Sequence, residues 1–280
     1  MRDVACSVLV FLLTAMTATA QEAATAAAQA QPPPQPAPPA VENAKRYTVT
    51  IGLDLPTAYL FRGIHQESRG LIAQPPLDLG VGLGKGITLN VGQWHSMHSG
   101  PTGNYYEADY YGSMTFTAGR LKPGVLLTSY TSPNDRFATV HELAGFVAYD
   151  DSAHAFPLSP KVTVAFEMHG QADGGARRGT YMELAVRPTV TLVDRATPLT
   201  LALPAKVGIS LKDYYEGVGG SDTFGFASGG LLLSLPVRTG QATWDIHGGV
   251  DLYWLGNNLA FLNAQDRFRP IGVAGVTLTY

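Results

Sequence analysis

YTVTIGLDLPTAYLF, residues Tyr47 to Phe61, alternates in a way that decides the fold. Tyr47, Val49, Ile51, Leu53, Leu55, Thr57, Tyr59 and Phe61 fall on one face of an extended strand; Thr48, Thr50, Gly52, Asp54, Pro56, Ala58 and Leu60 fall on the other. Such period-two alternation marks a strand with one apolar and one polar surface. A strand of a soluble sandwich runs about five or six residues, so this face is too long for that setting. The aromatics at its ends suggest another. From Tyr47 to Tyr59, steps of ~3.3 Å at a tilt near ~40° cover roughly 30 Å along a membrane normal, so both tyrosines are expected as interface girdle residues.

The pattern recurs along the chain. LTLALPAKVGISL (Leu199 to Leu211) opposes Leu201, Val207 and Ile209 to Thr200, Lys206 and Ser210. ATWDIHGGVDLYW (Ala242 to Trp254) opposes Trp244, Ile246 and Val250 to Asp245, His247 and Asp251, and YMELAVRPTVTL (Tyr181 to Leu192) opposes Leu184 and Val190 to Glu183 and Arg187. Twelve such segments are read: 47–62, 71–84, 86–97, 104–119, 124–132, 137–150, 160–170, 180–194, 198–213, 223–237, 241–255 and 267–280. Most connectors alternate between tight turns (GRLKP, DRATP) and longer loops rich in glycine and charge (GIHQESRG, DYYEGVGGSD). In lipid an open sheet edge leaves backbone groups unpaired at several kcal/mol each, so a spanning sheet must close. The expected fold is therefore all-β: a transmembrane antiparallel up-and-down β-barrel of about 12 strands. An even count places both termini on one side, the periplasmic one.

The N-terminal segment is different. MRDVACSVLVFLLTAMTATA carries Arg2, an apolar run and the small triplet Ala18-Thr19-Ala20, the pattern of a signal peptide cleaved before Gln21. Residues 21–44 are an Ala/Pro/Gln-rich leader with little to bury, expected to be disordered, and 45–280 form the barrel. Cys6 is the only cysteine, so the mature chain would have neither disulfide nor thiol chemistry. No apolar run reaches the length of about eighteen residues that a spanning helix needs. A formal charge of -3 offers no basic face for nucleic acid. The last strand, IGVAGVTLTY, stops on Tyr280 and looks like the terminal signal read by the barrel-assembly machinery of Gram-negative bacteria. The expected setting is the bacterial outer membrane, with its lipid and that machinery as partners.

TAYLFRGIHQES, followed by GLIAQPPLDLGVGLGKGITLNVGQW and GNYYEADYYGSMTF, resembles a family of Gram-negative outer-membrane β-barrel proteins to which no activity is assigned. The resemblance rests on a Tyr-x-x-Arg-Gly-Ile-x-Gln motif, here Tyr59, Arg62, Gly63, Ile64 and Gln66, with His65 where a small hydroxyl residue is usual. It covers about the first third of the domain. It implies a barrel at the outer membrane and no particular chemistry.

If lipid takes the apolar faces, the opposite positions line the lumen. The candidate lining residues are Asp54, Arg62, Asp78, Glu107, Asp109, Glu142, Lys161, Glu167, Glu183, Arg187, Lys206, Asp245, His247 and Asp251; Lys212 and Arg269 share their phase, as do the aromatics Trp94, Tyr105, Tyr111, Tyr181 and Tyr253. Interleaved charges of both signs fit a narrow channel for small polar solutes. They equally fit a structural or adaptor barrel whose lumen is closed by charge pairs. A third reading, an outer-rim hydrolase, would draw on His65, His95, His98, His169, Asp173, Asp213 and Asp222. His95, Ser96, His98 and Ser99 lack an elbow or oxyanion signature, and His95-x-x-His98 lacks helical zinc spacing. No catalytic residue, metal ligand or cofactor is expected.

Overall fold

The computed structural model describes residues 47–195, 197–217 and 219–280; the expected signal peptide and leader lie outside the described residues. The wall begins with β1 (Tyr47–Pro56). β2 (Tyr59–Phe61) and β3 (Ile64–Glu67) pair only with each other, and β4 (Ile72–Ala73) pairs with the end of the sixth strand. Then follow β5 (Pro76–Gly84), β6 (Ile87–His98), β7 (Tyr105–Phe116), β8 (Leu121–Thr131), β9 (Val140–Tyr149) and β10 (Lys161–His169), each paired antiparallel with the next.

The next two staves are interrupted. β11 (Thr180–Val186) continues as β12 (Thr189–Val193), and β13 (Leu199–Ala202) continues as β14 (Ala205–Lys212). Pro188 and Pro204 fall in the gaps, where a residue without an N–H cannot extend the ladder. The Leu203 N–H still donates to Pro188 O at 2.8 Å, and the Gly230 N–H to Pro204 O at 2.8 Å, so the wall stays sealed. A small hairpin, β15 (Glu216–Gly217) with β16 (Gly220–Ser221), precedes β17 (Phe224–Thr239), β18 (Ala242–Leu255) and β19 (Phe268–Thr279).

Closure is made by β1, which pairs with both β5 and β19: Ile51 stands opposite Leu77 on one side and Leu278 on the other. Val49 and Tyr280 exchange backbone hydrogen bonds of 3.0 and 2.9 Å, so the first stave and the last residue meet at one rim. With the interrupted pairs counted as single staves, the result is a closed 12-strand antiparallel barrel, as the alternation requires. The rim holding Tyr47 and Tyr280 is called here the turn end, and the opposite rim the loop end.

Side chains alternate as the pleat dictates. Ile51, Leu53 and Leu55 face outward on β1, and Leu231, Leu233, Ile246 and Val250 do so on β17 and β18, all largely exposed. Exposed aromatics gather at both rims: Tyr47, Phe116, Tyr149, Trp244 and Tyr280 at the turn end, Tyr110, Phe224, Trp254 and Phe268 at the loop end. An apolar belt between two aromatic girdles is the exterior that a bilayer solvates.

Two details differ from the expectation. The first strand ends at Pro56 instead of running to 62, and Tyr59 is 1% exposed, packed on Trp94 and Tyr106 inside the barrel and not in a girdle. Alternation alone cannot tell an apolar face that meets lipid from one folded back onto a lumen. Tyr105 also turns outward: the register between β6 and β7 shifts at Ser96/Met97, and its hydroxyl meets His95 Nδ1 at 2.7 Å. One extra residue in a strand moves its side chains to the other face.

Candidate functional site

The site is built on the chain segment after β1. The Thr57 N–H donates to Gly272 O at 3.0 Å, and from there residues 58–67 fold into the lumen as the β2–β3 hairpin. Its turn residues Arg62 and Gly63 have φ of 47° and 82°, the left-handed pair that a two-residue hairpin turn requires. Gly63 suits this place twice over. It takes positive φ without strain, and a Cβ there would lie 2.6 Å from Leu259 Cδ1. Leu259 belongs to a short helix, Asn257–Leu262, whose following residue Asn263 donates from Nδ2 to Gly63 O at 2.9 Å and accepts the His65 N–H at 3.1 Å.

The turn delivers Arg62 to the middle of the barrel. Its Nη1 and Nη2 donate to Glu142 Oε2 and Oε1, both at 2.7 Å, and Nη1 also donates to the Tyr214 hydroxyl at 3.0 Å. The guanidinium carbon lies 4.0 Å from the Tyr181 ring centroid, a cation–π contact in a dry setting. Tyr130 donates to Glu142 Oε1 at 3.2 Å and Tyr215 donates to Arg62 O at 3.1 Å, so both charged partners are also hydrogen-bonded by neutral groups. Those extra bonds let a desolvated pair persist.

A second polar chain ties the hairpin to β6. Thr102 donates to Glu67 Oε2 from its amide at 2.9 Å and from Oγ1 at 2.7 Å. Having donated, Thr102 Oγ1 accepts from His98 Nδ1 at 2.6 Å; His98 Nε2 is then the acceptor for the Ser96 hydroxyl at 2.7 Å, and Ser96 Oγ accepts from Gln74 Nε2 at 3.1 Å. A serine, a histidine and an acid thus lie in sequence, as they do in hydrolases. Ser96 is however 0% exposed and its oxygen is enclosed by Gln74. No acyl carbon reaches it in this arrangement, and the chain serves as a brace. The other rim groups are scattered: His95 sits on the outer face with Tyr105, His169 packs beside His141, and Asp222 accepts the Asn258 N–H. Among the described residues no group of three or more metal-ligating side chains converges.

Beneath the hairpin lies a cavity of about 240 Å³. Of the residues expected to line the lumen, Asp54, Arg62, Asp109, Lys161, Glu183, Arg187, Lys206, His247 and Asp251 border it. Arg62 does so from the hairpin and not from a stave, and Arg187 from the gap between β11 and β12. The remaining five are engaged elsewhere. Asp78 accepts the Tyr111 hydroxyl at 2.6 Å; Glu107 is buried two residues from Asp109; Glu142 holds Arg62; Glu167 takes the amides of Ala172 and Gly179; Asp245 lies 3.6 Å from His247 Nδ1. Within the cavity wall, His247 Nε2 meets Asp54 Oδ1 at 2.8 Å.

The loop end is covered by residues that alternation does not select. Tyr214 and Tyr215 are both 0% exposed, their rings 4.9 Å apart and perpendicular, and they close over Arg62. Adjacent tyrosines in the otherwise glycine- and charge-rich segment DYYEGVGGSD were the available signal. Outside them the loops are clasped by Glu216, which accepts the amides of Ala176 and Arg177 and pairs with Arg177 Nε at 2.8 Å, while Arg177 Nη2 reaches Asp213 at 3.1 Å. Asp173 accepts the Glu216 N–H at 2.9 Å.

No family model and no curated protein matches the chain. Solved structures similar to it include a NanC porin in a rhombohedral crystal form, at 10% identity and TM-score 0.45 over 83% of this chain and 98% of that one. CdiB from Acinetobacter baumannii aligns at 10% identity and TM-score 0.41, over 84% of this chain and 60% of its own. Salmonella typhi OmpF in complex with daunomycin aligns at 8% identity and TM-score 0.39, over 84% and 97%. These are likenesses of barrel architecture, and the functional reading rests on this chain's own lumen.

Proposed function

We propose that the protein is a narrow outer-membrane channel for small polar solutes, constricted at its loop end by the inward hairpin. The observation that carries this reading is the cavity of about 240 Å³ enclosed by the wall. An eight-stranded barrel is filled by its own side chains and one of sixteen to eighteen strands is open; twelve falls between and permits a narrow pore. The cavity's charges are of both signs: Lys161, Arg187 and Lys206 stand on or beside β10, β11 and β14 with Glu183 on β11 among them, and Asp54 and Asp251 stand on β1 and β18 with His247. Opposed charge across a narrow lumen orients and selects solutes. The turn end, which holds Tyr47 and Tyr280, faces the periplasm, the braced loop end faces outside, and outer-membrane lipid solvates the apolar belt. No enzymatic step is part of this reading.

A second reading has one observation in its favour. The buried Arg62–Glu142 pair fastens the hairpin across the lumen, as a closed structural barrel would need. Reversal potentials in a salt gradient separate the two. In a channel, Lys206→Glu and Arg187→Glu each move selectivity toward cations; an unmoved reversal potential in a conducting protein rejects their lining role. Silence from folded protein favours the closed barrel.

A further inference from the structure

The two lysines of the cavity stand level with each other across a gap. Lys161 on β10 and Lys206 on β14 are both Cα partners of Ala185 on the strand between them. Two strand spacings separate them, roughly 9–10 Å between Cα atoms. Ala185 puts only a methyl between their stems, and Arg187 follows two residues nearer the turn end; all four border the cavity. The Lys161 ammonium lies over the Phe146 ring, 4.7 Å from its centroid. The head groups of Arg187 and Lys206 make no ion pair or hydrogen bond among the described residues.

Most of the acids facing the same space are already engaged. Asp54 holds His247 at 2.8 Å, Glu183 accepts the Tyr181 hydroxyl at 3.0 Å while acting electrostatically on Lys161, Asp251 accepts the Leu252 N–H at 3.2 Å while acting on Lys206, and Asp245 acts on Arg187. Asp109 is 4% exposed and its carboxyl meets that of Glu107, but its Oδ1 has no hydrogen-bond partner among the described residues. Between these poles the wall is mainly aromatic, with Phe61, Trp94, Tyr181 and Tyr253 contributing.

We infer that the cavity binds a small apolar monocarboxylate, its carboxylate between Lys161, Lys206 and Arg187 and its ring or chain against the aromatic wall. A cationic group in that notch would stand against three like charges, those of Lys161, Lys206 and Arg187. A second carboxylate would meet the unpartnered Asp109 oxygen, so a dicarboxylate is refused. The inference rests on the channel reading in one respect, that a solute reaches the cavity.

Calorimetric titration of the full mature barrel in detergent tests it with four compounds of similar shape: benzoate, benzyl alcohol, benzylamine and terephthalate. Benzoate is expected to bind about tenfold or more tightly than the other three. Lys206→Gln and Arg187→Gln should each weaken it by about 10- to 100-fold, the worth of one charge-assisted contact. Equal binding of benzoate and benzyl alcohol, full benzoate affinity in both variants, or no benzoate binding to folded protein would overturn the inference. Binding is read without conductance. A protein that binds benzoate but never conducts retains the site and loses the channel, and one that conducts without binding benzoate does the reverse.

Discussion

Arg62 reaches Glu142 through both terminal guanidinium nitrogens, each 2.7 Å from a different carboxylate oxygen, with the side chains only 5% and 1% exposed. The pair joins the tip of the hairpin to a stave far along the chain, and its desolvation makes it asymmetric to mutation. Removing one partner strands the other charge. Glu142→Gln is expected to destabilise the barrel by about 3–5 kcal/mol, whereas Arg62→Met combined with Glu142→Leu should cost far less because no buried charge remains. Urea unfolding of vesicle-refolded protein measures both. Equal losses in the single and double variants would show that the pair does not fasten the hairpin.

The exterior makes a separate prediction. Leu231 and Val250 are cross-strand partners near the middle of β17 and β18, both outward. Leu231→Arg should cost about 2–4 kcal/mol at the bilayer midplane, and Ala242→Arg, on the same outward phase at the turn end of β18, about 0–1. Equal costs at the two depths, by the same unfolding measurement, would place the belt wrongly.

The loop clasp predicts a pH effect at the mouth. The Arg177 amide and guanidinium hold the Glu216 carboxyl below its ordinary range. A group depressed in the fold stabilises it above the unfolded value of about 4.3 and loses that contribution as pH falls through the lower folded value. Asp173 acts in the opposite sense, since burial pushes its carboxyl up and ionisation there opposes the fold. Protection factors for the Ala176 and Arg177 amides, corrected for intrinsic exchange, should therefore fall between pH 6 and pH 3. Unchanged protection would mean that Glu216 is not their anchor.

What the sequence revealed was what the pleat enforces. Ile51, Leu53 and Leu55 must share a face, so the wall, its closure at Tyr280 and the inward phase of Asp54, Lys161 and Lys206 followed from alternation. Alternation carries no information on where a strand leaves the wall. Tyr59 to Phe61 kept the period of β1 while folding into the lumen, and only the Arg62-Gly63 turn marks the departure. Tyr105 was misplaced because the register shift opposite Ser96 leaves no residue signature. The caps made by Tyr214, Tyr215 and Asn263 depend on contacts between loops far apart in the chain, which no local pattern encodes.

The most direct test of the central claim is single-channel conductance in a planar bilayer of the folded mature protein beside its Glu142→Gln variant. A narrow channel constricted by the Arg62 hairpin predicts small discrete steps for the native chain and larger ones once the hairpin is released. Absence of steps from both proteins, each shown to be folded, would contradict it and leave a barrel that does not conduct.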